Sequence, residues 1–334
     1  MQNQLLDGIC RKGVLVTTTV RYWRGCKKLK AEDLGLAPEN VSDRLIRLGQ
    51  KRLITRDALA DFALIESRAH AAVEGASFPF LGGIARFVPN PNLSTTTSTL
   101  ERLRGEFDEA TRTFVENYPT LRDKALAEWQ EAAQHLNGDA QRLMATIEQS
   151  FPSASAINQR FDFSWSLFQI AAPESIRLEI VEGVTQIEAA QDRQRIAAEA
   201  TRRMQGDLDA FVRESVASLR QETARLASDV LATIDGSEKG VHQRTLNRIA
   251  TFIESFRSLN FAGDQQLETT LENFRANLLR RSAEDYRNQP SAMASLTDGL
   301  NRLRETAVQL AREDASEIVS RFGVIGHRRL AAAV

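Results

Sequence analysis

Proline is absent from 116 consecutive residues of this 334-residue chain, between Pro173 and Pro290. A proline inside a helix costs about 3 kcal/mol, so a stretch without any is free to form long helices. The same stretch is rich in Ala, Glu, Gln, Arg and Leu, which favour helix. We therefore expect long helices that pair with other helices, because each of them must bury an apolar stripe.

Cysteine and histidine are scarce as well, with two and four residues respectively. Cys10 and Cys26 are too few for a disulfide framework or a four-cysteine zinc site, and their role stays open. No run of about 18 apolar residues exists, so we expect no membrane span. The first residues lack the basic start and apolar run of a signal peptide. We therefore expect a cytoplasmic protein with reduced thiols.

An excess of charge of either sign is also missing, since the formal net charge is −1. No global field therefore favours nucleic acid or an anionic membrane. Residues 1–30 nevertheless carry a net charge of +6. Their cations and two aromatics could hold phosphates and stack on bases. The candidate nucleic-acid-binding residues are Arg21, Tyr22, Trp23, Arg24, Lys27, Lys28 and Lys30. The simpler interpretation is a strand with Trp23 in the core and solvated lysines.

The N-terminal third contains one convincing strand pattern, at residues 13–23, where β-branched and aromatic residues follow Gly13. Residues 77–93 contain three prolines and a Gly-Gly pair, which predict a loop. A helical stripe begins near Leu100, and Pro119 lies where a new helix can begin.

The C-terminal half predicts a helix over residues 174–234, about 90 Å long at 1.5 Å per residue. Its later stripe is the candidate protein-interaction surface: Met204, Leu208, Val212, Val216, Leu219, Leu226 and Val230. Residues 235–240 predict a turn, and therefore a helical hairpin. Because the long stripe exceeds what the shorter following helices can cover, we expect it to meet another copy or another protein.

We therefore predict a mainly α fold: an elongated antiparallel helical bundle, or coiled-coil-like hairpin, with a small N-terminal α+β region. The expected division is an α+β region at 1–93, a helical bundle segment at 94–173, a long-helix bundle or hairpin at 174–322 and a flexible tail at 323–334.

Motifs for catalysis are missing from the sequence. There is no phosphate-binding P-loop and no His-Glu-x-x-His, and no histidine has a glutamate three residues earlier, as a di-iron bundle site would need. A cysteine nucleophile would need a histidine partner that sequence alone cannot place. We therefore predict no catalytic residue, cofactor or metal ion, and expect a protein that is not an enzyme.

Three segments carry a resemblance to a known family: residues 15–23, Leu-Val-Thr-Thr-Thr-Val-Arg-Tyr-Trp; residues 27–35, Lys-Lys-Leu-Lys-Ala-Glu-Asp-Leu-Gly; and residues 80–83, Phe-Leu-Gly-Gly. With the helical run from Leu100, they make residues 10–135 similar to a family of bacterial and phage proteins catalogued as a domain of unknown function. Where that family has an aromatic residue and a short loop to proline after the Gly-Gly, this chain has Ile-Ala-Arg-Phe-Val-Pro.

The resemblance implies a setting rather than a reaction. Genes of this family tend to lie on plasmids, prophages and integrative elements, near an AAA+ ATPase of the MoxR or cobaltochelatase type and a von Willebrand A protein. This implies a non-enzymatic helical scaffold or adaptor, an accessory of an AAA+ remodelling system on a mobile element or in phage or plasmid defence. Other proteins are the expected partners, with homo-oligomers possible. The alternative function is nucleic-acid binding through the basic aromatic segment.

Overall fold

The structure is a computed structural model that describes residues 4–34, 49–135, 140–170, 185–237, 240–313, 315 and 317–319. The expected tail at 323–334 and the first residues of the expected long helix, 174–184, lie outside the described residues. Helices make up 74% of the structure, which confirms the prediction of a mainly α fold with a small sheet region. The elongated hairpin shape stays a prediction.

The strands of the described residues are short, and all but one of them lie in the first third of the chain. Their bounds are β1 Gly13–Arg21, β2 Cys26–Lys28, β3 Gln50–Arg52, β4 Phe78–Phe80, β5 Ala85–Pro89 and β6 Asp162–Phe168. One sheet has the order β4-β5-β1-β6, with β5 antiparallel to both β4 and β1, and a separate two-stranded ribbon pairs β2 with β3. The strand expected at 13–23 is confirmed as β1.

The helices range from one turn to about fourteen turns. Their bounds are α1 Gln4–Lys12, α2 Ala60–Glu74, α3 Asn90–Gln134, α4 Ala140–Ser150, α5 Ala154–Ile157, α6 Thr185–Asp235, α7 Gln243–Leu259, α8 Gln265–Leu278, α9 Ala283–Asn288 and α10 Pro290–Arg312. Short 3₁₀ turns lie at Ala31–Leu34, Asp57–Leu59, Leu81–Gly83 and Asn158–Arg160.

Contacts divide the chain into two compact units that alternate along the sequence. Unit 1 comprises Met1–Val16, Glu74–Ser94 and Leu167–Val334, and unit 2 comprises Thr17–Val73 and Thr95–Ser166. The sequential division expected at 1–93, 94–173 and 174–322 stays a prediction. The two units differ from it because each combines segments that are separated in the sequence.

The core of unit 1 is built on α6, which packs mainly against α10. Arg220 contacts the backbone of Leu310, and Gly240, just beyond the end of α6, lies against Met293 near the start of α10. These two contacts show that α6 and α10 run antiparallel. Strands β4 and β5 contribute Phe78, Phe80 and Phe87 to the same core, where their rings meet those of Phe211 and Phe261.

The core of unit 2 is aromatic and lies between α2 and α3. Phe62 of α2 has its ring centroid 5.4 Å from that of Phe107 and 5.9 Å from that of Phe114, both on α3. Phe161 joins the same cluster at 4.8 Å from Phe62. These rings fix the spacing of α2 and α3 and so determine the surface between the two helices.

The prediction of a loop at residues 77–93 is wrong, because these residues form the β4–β5 hairpin and the first turn of α3. Pro79 lies in an edge strand, where a missing N–H costs no ladder bond. Pro89 ends β5, and Pro91 lies in the first turn of α3, where backbone N–H groups have no helical partner. The prolines therefore mark the ends and edges of regular elements.

The prediction that a new helix begins at Pro119 is also wrong, because α3 continues through this proline without interruption. The residues before and after this proline bury the same side of α3, among them Phe114, Tyr118 and Ala125. The Tyr118 hydroxyl also donates a hydrogen bond of 2.7 Å to the Pro152 carbonyl. Burial of that ring raises the pKa of Tyr118 to about 12. Tertiary packing on both sides therefore offsets the helix-breaking cost of about 3 kcal/mol.

Candidate functional site

Unit 2 contains an open groove of about 890 Å³ between α2 and α3, called here the α2–α3 groove. One face of each helix lines it. From α2 and the turn before it come Asp57, Ala58, Asp61, Phe62, Leu64, Ile65 and Arg68, and from α3 come Gly105, Glu106, Glu109, Ala110, Thr113, Phe114, Asn117, Thr120 and Leu121.

The floor of the α2–α3 groove is apolar. Phe62, Ile65 and Phe114 are 2%, 5% and 4% exposed, so they join the groove directly to the aromatic core. Leu64 stands on its side with 56% of its surface exposed. Gly105 adds open space, because no atom beyond its chain neighbours and the backbone of its own helix lies within 4 Å of where its Cβ would be. The groove therefore offers apolar contact area that no described side chain fills.

The rim of the α2–α3 groove carries four carboxylates, two of which are compensated by arginines. Glu106 accepts a hydrogen bond from Arg68 at 2.7 Å and another from Arg102, and Glu109 pairs with Arg112. Asp57 and Asp61 have no ion-pair partner among the residues that the structure describes. The uncompensated negative charge therefore lies at the end of the groove where α2 begins.

The second candidate surface is the ribbon of β2 and β3, which is basic. Lys27 is the register partner of Lys51, and Cys26 is the partner of Arg52. The ribbon is fixed to α3 because the Trp129 indole Nε1–H donates a 2.7 Å hydrogen bond to the Arg52 carbonyl. Lys27, Lys28 and Lys30 are exposed, and their side chains have no ion-pair partner among the described residues.

The two aromatics of the basic segment are not part of that exposed surface. Tyr22 is 7% exposed and stacks on Phe62 with ring centroids 5.5 Å apart. Trp23 packs among the rings of Phe114, Tyr118 and Phe151 at 5.8–6.3 Å. The rings therefore belong to the core of unit 2, as the simpler interpretation of this segment had it.

Arg24 is held by its own partners rather than left free for phosphate. Its two terminal nitrogens donate to the two carboxylate oxygens of Glu66 at 2.7 and 2.9 Å, and its Cζ lies 3.9 Å from the Tyr22 ring centroid. The hydrogen bonds from Arg24 lower the pKa of Glu66. Of the seven nucleic-acid candidates, Arg21, Lys27, Lys28 and Lys30 are exposed and have no ion-pair partner within the part of the chain that the structure describes.

The predicted interaction stripe of α6 lies inside unit 1. Leu208, Val212, Val216, Leu219, Leu226 and Val230 are each 5% exposed or less, and Met204 packs partly buried against them. The following helices and α10 therefore cover these residues within the same chain. We expected part of this apolar stripe to stay uncovered within the chain. At these seven positions no uncovered stripe is found, because their side chains pack in or against the core of unit 1.

The thiols and the other groups that could carry chemistry are dispersed. The Cys10 Sγ–H donates to the Ile170 carbonyl at 3.3 Å, and burial raises the pKa of that thiol. Cys26 is a half-buried free thiol on β2. Within the described ranges, no three His, Cys, Asp or Glu residues cluster as metal ligands would. Among the same residues, no helix has both the length and the apolar character that crossing a membrane requires.

Sequence reasoning missed the α2–α3 groove, although one signal for it was present. The stripe of α2 that faces the core has apolar residues at spacings of three and four, namely Leu59, Phe62, Ile65 and Ala69. Leu64 lies off that stripe, and an apolar residue on the wet side of an amphipathic helix can indicate a second contact surface. A single such residue is common on protein surfaces and did not suffice.

Comparison with curated proteins and with solved structures finds no match for this chain. A family model does match, over residues 11–193, which is more than half of the chain. The matched range agrees with the resemblance noted in the N-terminal third and includes both the α2–α3 groove and the basic ribbon. The chain belongs to the family described as "Protein of unknown function (DUF3150)".

Proposed function

We propose that this protein is a non-enzymatic adaptor and that its α2–α3 groove receives a partner protein. The observation that carries the proposal is the combination of an apolar floor, an exposed Leu64 and an open groove of about 890 Å³. Exposed apolar surface of this kind is costly in water, and it is typical of protein-binding sites. The groove lies wholly within the family-matched range.

The family resemblance suggests which partners to test first. They are an AAA+ ATPase of the MoxR or cobaltochelatase type and a von Willebrand A protein encoded beside the gene. An adaptor of a remodelling ATPase needs a docking surface rather than a reactive centre. A cytoplasmic setting, and self-association in addition to partner binding, remain part of this proposal.

A photocrosslinking residue placed at Leu64 tests the adaptor role. The full-length chain should crosslink to a stoichiometric partner that also co-purifies with it, because Leu64 faces the open groove. The matched control is the same residue placed at Val308, which is exposed on α10 in unit 1. An adaptor role is excluded if neither the ATPase nor the von Willebrand A protein co-purifies and Leu64 crosslinks no more than Val308.

Nucleic-acid binding by the β2–β3 ribbon is the second candidate function. It is supported by the exposed Lys27, Lys28 and Lys30, three cations within four residues that have no ion-pair partner among the residues the structure describes. Because Tyr22 and Trp23 are packed in the core, any contact would be with phosphates and would have little base preference. Binding by this ribbon alone should therefore be weak and strongly salt-dependent.

Neutralising the three lysines tests this candidate. The triple variant Lys27→Gln, Lys28→Gln and Lys30→Gln should fold normally and should reduce the salt slope of duplex DNA binding by up to about three. A gel-shift titration at two salt concentrations measures both affinity and slope. If the wild-type chain shows no retention of DNA or RNA at low salt, or if the triple variant binds with an unchanged slope, the ribbon has no such role.

A further inference from the structure

We infer that the occupant of the α2–α3 groove is an amphipathic α-helix of a partner protein that carries basic residues beside its apolar face. This inference rests on the proposed adaptor function and adds the chemistry of the partner. It draws on three independent features of the groove: its length, the nature of its floor and the sign of its rim charge.

The length of the groove matches a helix of about four turns. The lining residues of α3 run from Gly105 to Leu121, which spans about 24 Å at 1.5 Å per residue. They recur at helical spacing, so they form one continuous strip along α3. A third helix laid along this strip would pack against α3 at an ordinary interaxial distance of about 8–10 Å.

The floor of the groove selects an apolar helix face. Phe62, Ile65 and Phe114 present side-chain surface, while Gly105 and Ala110 leave room for side chains that enter from outside. Small residues beside large ones give the knobs and holes that a packed helix needs. Helix-in-groove recognition of this type uses apolar anchors at i, i+3 or i+4, and i+7.

The rim of the groove selects basic flanks. Glu106 and Glu109 are each paired with arginine, whereas Asp57 and Asp61 have no ion-pair partner among the described residues, so the attraction for cations lies at their end of the rim. An acidic helix would place like charges against this rim, which is unfavourable. The groove therefore discriminates among amphipathic helices by charge as well as by shape.

Filling the groove from within is the sharpest test. Gly105→Leu places a side chain in open space, and leucine is a better helix former than glycine, so the variant should fold at least as well as the wild type. Gly206→Leu is the matched control, because Gly206 is an equally open glycine inside α6. A second variant, Leu64→Ser, removes an exposed anchor without changing the core.

The probe is a labelled 16-residue peptide with leucines at helical spacing and lysines on both flanks. Two comparison peptides replace every lysine by glutamate, or scramble the order of the same residues. Fluorescence anisotropy with the full-length protein should show the basic amphipathic peptide binding about tenfold or more tightly than either comparison peptide. Gly105→Leu and Leu64→Ser should weaken binding about tenfold, whereas Gly206→Leu should leave it unchanged.

Neutralising the rim should change the salt dependence of binding. Asp57→Asn with Asp61→Asn should weaken the basic peptide about three- to tenfold and flatten its response to salt, because the lost attraction is screened by ions. The control is Asp108→Asn with Glu116→Gln, two exposed carboxylates of α3 that do not line the groove. That pair should leave the affinity nearly unchanged.

The inference is overturned if the acidic or scrambled peptide binds as well as the basic one, or if Gly105→Leu binds the basic peptide normally. It is also overturned if the protein self-associates through the groove, which sedimentation would show as dimers that Gly105→Leu abolishes. If the basic peptide does not bind but a partner protein still crosslinks at Leu64, the adaptor role is intact and only the basic amphipathic helix is refuted. Loss of both would refute the adaptor role as well.

Discussion

Replacing Arg220 with leucine is expected to lower the free energy of unfolding of unit 1 by about 3–5 kcal/mol, because the replacement leaves a buried carboxylate without its partner. Arg220 Nε donates to Asp264 Oδ2 at 2.7 Å, and its Nη1 donates to the Leu310 carbonyl at 2.5 Å. The two side chains of the ion pair are 6% and 3% exposed. Arg220 thus links α6 to the start of α8 and to the end of α10.

The Asp264 carboxylate also caps a helix, which allows a second test of this prediction. Its other oxygen accepts from the Leu267 backbone N–H and so caps the N-terminus of α8. Adding Asp264→Asn to Arg220→Leu removes the unpaired charge while keeping a residue that can cap a helix. The double variant should therefore recover a substantial part of the lost stability, about 1–3 kcal/mol.

Hydrogen exchange of the amides in α6, α8 and α10 during urea titration is the measurement, because it reports unit 1 specifically. Arg248→Leu is the control, since Arg248 pairs with Asp229 on the surface, with both side chains about half exposed. An exposed pair is worth at most about 1 kcal/mol. Equal losses of protection for Arg220→Leu and Arg248→Leu would contradict the assignment of a buried three-helix link.

Arg220 illustrates what the sequence does not reveal about unit 1. The apolar stripe of α6 was recognisable because its members recur at helical spacing, and all of them except the partly buried Met204 are buried. Arg220 stands directly after Leu219 and looks like one of many solvated arginines in a helix rich in Glu and Arg. Its burial depends on Asp264 and Leu310, which are 44 and 90 residues away in the chain. Local periodicity carries no information about such distant partners.

The same limit explains which parts of the candidate site were predictable. The strand β1 and the core position of Trp23 follow from local β propensity and from an aromatic at the end of an apolar run. The α2–α3 groove depends on the distance between two helices whose lining residues are up to 64 positions apart, from Asp57 to Leu121. Each helix alone shows only an ordinary amphipathic pattern.

Lysines of the β2–β3 ribbon show how different the roles of identical residues can be. Lys51 and Lys27 are register partners in the ribbon, yet only Lys27 is exposed. Lys51 Nζ lies 2.8 Å from Asp33 Oδ2, and the two side chains are 3% and 6% exposed. The same Asp33 oxygen accepts a 2.8 Å hydrogen bond from the Lys30 backbone N–H. Asp33 therefore joins the 3₁₀ turn after β2 to the opposite strand.

Lys51→Met is accordingly expected to destabilise unit 2 by about 3–5 kcal/mol, because it leaves the buried Asp33 carboxylate unpaired. Lys27→Met, the same chemical change at the facing position, should alter stability by less than about 0.5 kcal/mol. Urea unfolding followed by tryptophan fluorescence suits this comparison, since Trp23, Trp129 and Trp165 all lie in unit 2. Trp129 is the most direct reporter because its indole is bonded to the backbone of β3.

A double replacement separates the ion pair from the packing around it. Lys51→Met combined with Asp33→Leu removes both charges, and a buried ion pair replaced by apolar residues is often close to neutral in stability. The double variant should therefore be more stable than Lys51→Met alone, while it keeps Lys27, Lys28 and Lys30 in place. If Lys51→Met and Lys27→Met unfold at the same urea concentration, the buried pair does not hold the ribbon. In that case the exposed lysines would lack the fixed geometry that the nucleic-acid candidate requires.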